Sequence, residues 1–427
     1  MLSSFSIQNF RSILSLKLDF SYGEGKAPNG YQSQETIPFI KAGKQRLVPC
    51  MAFFGANASG KTNLLKALGA LDGLILGAKL ADAFEPNLLN PKFADTTFEI
   101  NFHIGIDSFI YLIAFSATKI SKEDLQKNGK PIFEITELQP TFDLQTRSET
   151  YSKEKLRDIL RVECSDGEGR QIKPFLHCIG RSYPGLDLDL KNTFSFFQSR
   201  IRIFDNEEPA LLPAAVDLLA SAMNGNGKAA LGEITDTVRR LDVDISAIEI
   251  SETKLKANDP HPNGTLLRLD GETDERHLVS ISTTHQDIAN NPVYFDFFKH
   301  ESAGTQRLAG LVGLILYVLK IGGVFVVDEL ECSLHPLLMR EIVLLFKKRR
   351  HNPKGAQLIF TTHNTDILDD AVLRISEIAL VRKTIANGTL VRRLVDAKSE
   401  GEDIRNVTNF RKQYLAGFYS GVPHPAL

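Results

Sequence analysis

Residues Phe54 to Thr62 read FGANASGKT, a glycine-rich loop of the form G-x-x-x-x-G-K-[ST]. The stretch predicts a strand, a tight anion-binding turn and a helix, in that order. Gly55 and Gly60 let the backbone curl, so that the N–H groups of Asn57, Ala58 and Ser59 converge on a phosphate. Lys61 is placed to bridge the β- and γ-phosphates, and the Thr62 hydroxyl to ligate Mg2+. Asn63 to Leu71 has helix-forming composition, so Asn63 stands at a positive helix end that faces the same anion. An ordinary glycine turn is the bland alternative. Against it, Cys50 to Phe54 supplies the strand, and Leu64, Leu65, Ala67 and Leu68 the helix, that a phosphate loop requires. The pattern predicts binding of a nucleoside triphosphate.

A second motif lies far along the chain. Val324 to Val327 is an apolar tetrad without alternation, as expected of a parallel strand covered on both faces. It ends in Asp328 and Glu329, at the carboxyl edge where open α/β sheets bind ligands. Asp328 is suited to hold Mg2+ and its water shell, and Glu329 to polarise an attacking water as general base. Strands ending in acids are common, and the pair gains weight from the phosphate loop. The apolar stretch Ala309 to Val327 is long enough to suggest a membrane span. Lys320, Gly322 and Gly323 interrupt it, so a buried helix, a turn and a central strand fit better.

Three further pieces follow the same chemistry. Glu301 to Gln306 reads ESAGTQ and opens a helix over Arg307 to Leu319. Small residues there suit a second anion site, although an ordinary helix cap explains them alone. Ser333-Leu334-His335-Pro336 predicts a sharp exit into a helix beginning near Leu337. Gln357 to Thr362 reads as another strand and delivers His363 at its end.

The ordered set resembles the ATP-binding-cassette ATPases of the chromosome-maintenance and repair branch, the group of the SMC proteins and RecF. It is similar more closely to AAA-type ATPases of the OLD (overcoming-lysogenisation-defect) group found in bacterial antiphage defence. Asn9-Phe10-Arg11-Ser12 matches the "NFRS" opening of that branch, and Tyr414 to Gly417 with Gly421 to Pro423 its closing segment. The resemblance covers residues 1–115 and 238–427. It implies that Ser302 and Gly304 form a signature motif on the γ-phosphate of the opposite subunit, and that His363 is the switch histidine. Ser333 to Pro336 would cross the dimer interface, and Arg11 and Ser12 would touch the nucleotide phosphates. The signature departs from the transporter wording LSGGQ at Ala303 and Thr305. No glutamine stands in residues 87–99, so the Q-loop residue is unassigned.

Composition frames these motifs. The 427 residues are 43% apolar and 24% charged, an ordinary globular composition for two or three domains. A net charge of −2 gives no global attraction to nucleic acid or anionic lipid, which would need a local basic patch. Four scattered cysteines without a C-x-x-C pair fit a reducing cytoplasm. No signal peptide or membrane segment is expected.

The expected fold is α/β, a P-loop NTPase of the ABC-ATPase type with a mixed sheet, a parallel core and a helical insert lobe. Residues 1–118 form the first part of the ATPase lobe, 119–237 a mainly helical insert, and 238–427 the rest of the lobe. No sustained heptad runs from Tyr151 to Arg240. Phe194, Phe196, Phe197, Ile201, Ile203 and Phe204 are expected to fill the insert's core. Strands near Ile245–Ile250, Leu266–Leu269 and Leu278–Thr283 are expected to rejoin the ATPase lobe. About sixty residues follow Asp366, with no acidic cluster of the Toprim kind. The resemblance therefore implies an ATPase, with ATP and Mg2+ as cofactors, working as a homodimer or higher even-numbered homo-oligomer. Its partner would be a separate effector protein such as a Toprim nuclease. A RecF-type ATPase that clamps DNA is the alternative.

Overall fold

The strand Cys50–Phe54 is buried at all five positions, the result of an apolar run that must be covered on both faces. It is part of a computed structural model describing residues 1–427 except 23–34, 38, 90, 137–138, 143–152, 184, 186, 205–211, 242–243, 256–265, 270–275, 333, 397–409 and 418–427. On one side Gln357–Thr362 pairs with it in parallel, and Val324–Val327 pairs in parallel beyond that. On the other side Ile378–Thr384 is also parallel to it. These four strands are the parallel core of a thirteen-stranded mixed sheet.

Beyond Ile378–Thr384 the sheet turns antiparallel through Gly388–Arg393, Ile13–Asp19, Leu2–Phe10, Thr96–Ile104 and Asp107–Phe115. It continues through Ile120–Lys127, Lys130–Thr136 and Gln139–Phe142. Thr96–Ile104 alternates buried and half-buried residues, as a strand with one face on the core should. The helix Lys61–Leu76 buries Leu64, Leu65, Leu68, Leu71, Leu74 and Ile75 in the same core as Phe98 and Phe102. It stops at Gly77, whose φ of 110° a side-chain-bearing residue would rarely adopt. On this helix burial pushes Asp72 up to about 7, with Arg202 acting in the opposite direction.

The domain boundaries differ from those expected. One compact unit is Met1–Ile203, Gly322–Leu330 and Val343–Leu427; the other is Phe204–Ile321 with Glu331–Ile342. Residues 119–237 are thus not a single helical insert. Their first part extends the large sheet, where Ile120–Lys127 pairs antiparallel with Asp107–Phe115. Phe196 and Phe197 are buried against Phe102, with Phe196 stacked at 4.3 Å, so they belong to the sheet's core. Glu123 anchors this region: fully buried, it accepts from Tyr111 Oη, Gln171 Nε2 and the amides of Phe175 and Leu176. Burial pushes its carboxyl up, and these donors oppose that shift.

In the second unit Leu212–Ser221 and Gly227–Arg240 pack on the long helix Ala303–Ile321. Gly313 permits the approach, since a Cβ there would lie 2.7 Å from Ala215 Cβ and 2.9 Å from Ile234 Cδ1. The strands Ala247–Leu255, Leu266–Leu269, Arg276–Gln286 and Pro292–Asp296 form their own sheet rather than rejoining the large one. Ala303–Ile321 is long and apolar enough to cross a membrane, yet Leu308 to Val312 and most of its remaining inner face are buried in this unit.

Candidate functional site

Three of the expected motifs leave the parallel core from neighbouring strands at one edge. Phe54 is level with Thr362, and Val327 with Phe360. The phosphate loop, the Asp328–Glu329 pair and His363 therefore emerge side by side, at the carboxyl edge that suits a ligand.

The loop is wound tightly against its surroundings. A Cβ on Gly55 would lie 2.3 Å from Val381 O, and one on Gly60 only 2.1 Å from Thr389 Oγ1. Gly60 has φ 101° and Ala58 φ 58°, so the chain passes through left-handed conformations just before the helix. Lys61 Nζ curls back to donate to Gly55 O (2.9 Å) and Ala56 O (3.1 Å). The Ser59 hydroxyl is buried and makes no hydrogen bond, while the first helical turn carries no acidic residue. An orphaned donor, a folded-back cation and a helix N-terminus without negative charge together fit a polyphosphate. Thr62, half-buried in the first turn, and Asp328 are the residues that would hold Mg2+.

Arg11 and Ser12 reach the same loop. Ser12 Oγ receives a hydrogen bond from Asn63 Nδ2 (2.7 Å) and shares another with Thr389 Oγ1 (2.7 Å). Arg11, at φ 48°, donates to Asn63 Oδ1 at 3.4 Å and pairs with Glu85 at 2.8 Å. Two partners here were not expected from sequence. Thr389, fully buried, also donates to Ser59 O (3.2 Å), so the strand Gly388–Arg393 supports the loop from behind. Glu85 holds the Arg11 guanidinium from the segment that follows the loop helix.

At the acidic pair, Thr361 Oγ1 donates to Asp328 Oδ1 and accepts from the Glu329 amide (2.8 Å). Glu329 is exposed and stands at φ 46°. His363 is exposed as well, one residue past the end of its strand. A fully buried strand reading QLIFTT was the available signal for Thr361, because buried hydroxyls need partners.

Ser302 and Gly304 fall in the second unit, at the exposed start of Ala303–Ile321. The helix begins earlier than expected, and Ser302 Oγ caps it by accepting from Thr305 N (3.1 Å). Gln306 Nε2 donates to the carbonyls of Phe297, Phe298 and Glu301, and Glu301 accepts from Thr283 and from His285 Nε2 (2.7 Å). This turn is therefore clamped while its tip stays open. Of the segment before Leu337, the helix opens at Pro336, and Ser333 lies outside the described residues, as do Gly421 to Pro423. Among the described residues no His, Cys, Asp or Glu cluster forms a further metal site.

The model of the family described as "AAA domain, putative AbiEii toxin, Type IV TA system" matches residues 50–369. No curated protein matches the chain. Among solved structures, an SMC head bound to the C-terminal winged-helix domain of ScpA is 13% identical, covering 92% of this chain and 98% of that one at a TM-score of 0.42. The SMC head domain from Thermotoga maritima is 14% identical, with coverage of 92% and 98% and a TM-score of 0.41. An SMC head with an extended coiled coil, bound to the C-terminal domain of ScpA derived from Pyrococcus furiosus, is 11% identical, with coverage of 92% and 96% and a TM-score of 0.37.

Proposed function

This chain belongs to the AAA-domain family that it matches from Cys50 to Asp369, and on that premise we propose that it hydrolyses ATP at sites shared between two copies of itself. The carrying observation is the convergence of the phosphate loop, Asp328–Glu329 and His363 at one edge of the parallel core. The loop amides and Lys61 would bind the β- and γ-phosphates. Thr62 and Asp328 would hold Mg2+, which would supply charge neutralisation at the phosphates. Glu329 orients the water and takes its proton as oxygen attacks the γ-phosphorus; the bond to the ADP oxygen breaks and ADP leaves. His363 would contact the γ-phosphate from the adjacent strand.

The shared-site part draws on Ser302 and Gly304, whose exposed, clamped helix start suits a phosphate brought by a second copy. Ser302→Arg should leave ATP binding to the Lys61 loop nearly unchanged and lower hydrolysis sharply by blocking closure. Mixing it with Lys61→Ala subunits should restore at most one composite site per dimer. Loss of ATP affinity in isolated Ser302→Arg subunits, or no recovery in any mixture, would remove the shared site. The chain would then act as the sensor or scaffold subunit of an antiphage module, with a separate toxic effector such as a Toprim nuclease. That assignment rests on the resemblance of the sequence motifs to those of OLD-group ATPases.

One observation favours a DNA-clamping ATPase as the second reading. In the hairpin Ile40–Ala42 with Gln45–Leu47, Lys41 stands directly opposite Arg46, a like-charge pair that costs stability by itself. Beside the same segment, the exposed Arg349 donates its amide to Glu35 O (2.8 Å), next to the exposed Arg350. A duplex phosphate backbone would complement this patch. Replacing Arg349 and Arg350 with Glu should weaken DNA binding about tenfold or more and reduce the salt slope by about two, leaving ATP affinity unchanged. No DNA binding by the parent protein at low salt would discard the reading.

A further inference from the structure

Thr361 is a hydroxyl in a strand whose six residues are all buried, and it hydrogen-bonds to both members of the acidic pair. We propose that Thr361 is the positioning residue that locks Asp328 and Glu329 into one working geometry; this rests on the reading of those two as cation holder and general base.

A single threonine ties down three consecutive residues. Its Oγ1 accepts from the Glu329 amide at 2.8 Å and donates to Asp328 Oδ1, and its carbonyl accepts from the Leu330 amide at 3.2 Å. Because the amide occupies a lone pair of the hydroxyl, the one hydroxyl proton is committed to Asp328. That fixes the carboxylate's rotation and leaves Oδ2 for the cation. The same hydroxyl steadies Glu329 at φ 46°, a conformation rare for residues with side chains and persistent only where neighbours enforce it. Turning the chain left-handed at that point exposes the Glu329 side chain just beyond the buried strand. The parallel pairing of Val324–Val327 with Gln357–Thr362 keeps the arrangement rigid, with Phe360 level with Val327 and Thr361 the next residue on its strand.

This makes a specific demand on the hydroxyl, beyond space filling. Valine has the same shape, yet it would leave the Glu329 amide unpaired and Asp328 free to rotate. Serine would restore both bonds.

The test uses the full chain with Thr361→Val, Thr361→Ser and Glu329→Gln side by side. Each is measured for kcat, KM for ATP, and Mn2+ affinity by electron paramagnetic resonance in the presence of a non-hydrolysable ATP analogue. Hydrogen bonds to charged groups set the scale. Thr361→Val should lower kcat roughly 10- to 100-fold and weaken Mn2+ binding roughly tenfold, with analogue affinity in the absence of divalent cation unchanged; Thr361→Ser should recover most of both. If valine does not fold at this position, Thr361→Ala carries the same expectation. Wild-type kcat and Mn2+ affinity in the hydroxyl-free variant, while Glu329→Gln is slow, overturns the positioning role alone. Wild-type turnover in Glu329→Gln overturns the reading of the acidic pair and this inference with it.

Discussion

Lys61→Ala is expected to lower affinity for a fluorescent ATP analogue by roughly 100-fold or more, with little change in thermal stability. The binding loss follows from removing a buried, charged donor aimed at the most negative part of the ligand, and charge-assisted contacts are about twice as strong as neutral ones. The small stability change follows from where the side chain sits. Lys61 is 6% exposed, and its ammonium donates to Gly55 O and Ala56 O. A buried cation is costly to desolvate, so its removal offsets the lost hydrogen bonds to within about 1 kcal/mol. The apolar contacts of Leu64, Leu65 and Leu68 on the same helix are kept. Titration alongside a thermal melt checks both halves. Near-native affinity would sink the phosphate-loop assignment, and a large drop in melting temperature would make the lysine structural.

Residues whose chemistry is set by their sequence neighbours were the ones legible in advance. The phosphate loop needs only a strand before it and a helix after it, and Cys50–Phe54 and Lys61–Leu76 form at those places. The strand before Asp328 and the strand before His363 were legible for a similar reason, since unbroken apolar runs of strand length suit a doubly covered parallel core. What sequence did not disclose is carried by long-range contacts. Thr389 meets Ser59 across 330 positions and Ser12 across 377. Neither strand spacing nor composition encodes that pairing. The unit boundary at Ile203 and Phe204 escaped for a different reason. Lys153–Glu163 and Leu188–Ser195 have helical patterns that say nothing about which core they join, and they sit with the sheet. Gln357 shows how such contacts can be anticipated: a buried amide at the start of an apolar strand must find partners, and it binds the backbone of Leu2 and Val48.

Glu329→Gln should separate binding from chemistry in the direction opposite to Lys61→Ala. Glutamine matches glutamate in shape, and the contact that holds position 329 runs through its backbone amide to Thr361 Oγ1, which the substitution leaves in place. The left-handed backbone is therefore retained, and with it the geometry of Asp328. What is lost is the ability to accept a proton from the attacking water, and a positioned general base contributes roughly 10²–10⁴-fold. ATP affinity should stay within about twofold, while turnover falls by that factor. If the site is shared, the slowed variant should accumulate as an ATP-bound pair, visible by sedimentation as a dimer that the parent protein populates only transiently. Asp328→Asn is the useful contrast: it removes charge from the proposed cation site, so its defect should be partly relieved by raising Mg2+, whereas that of Glu329→Gln should not. Undiminished turnover in Glu329→Gln would move the base to another group. His363, exposed at the end of the adjacent strand and level with the start of the phosphate loop, would be the next residue to test.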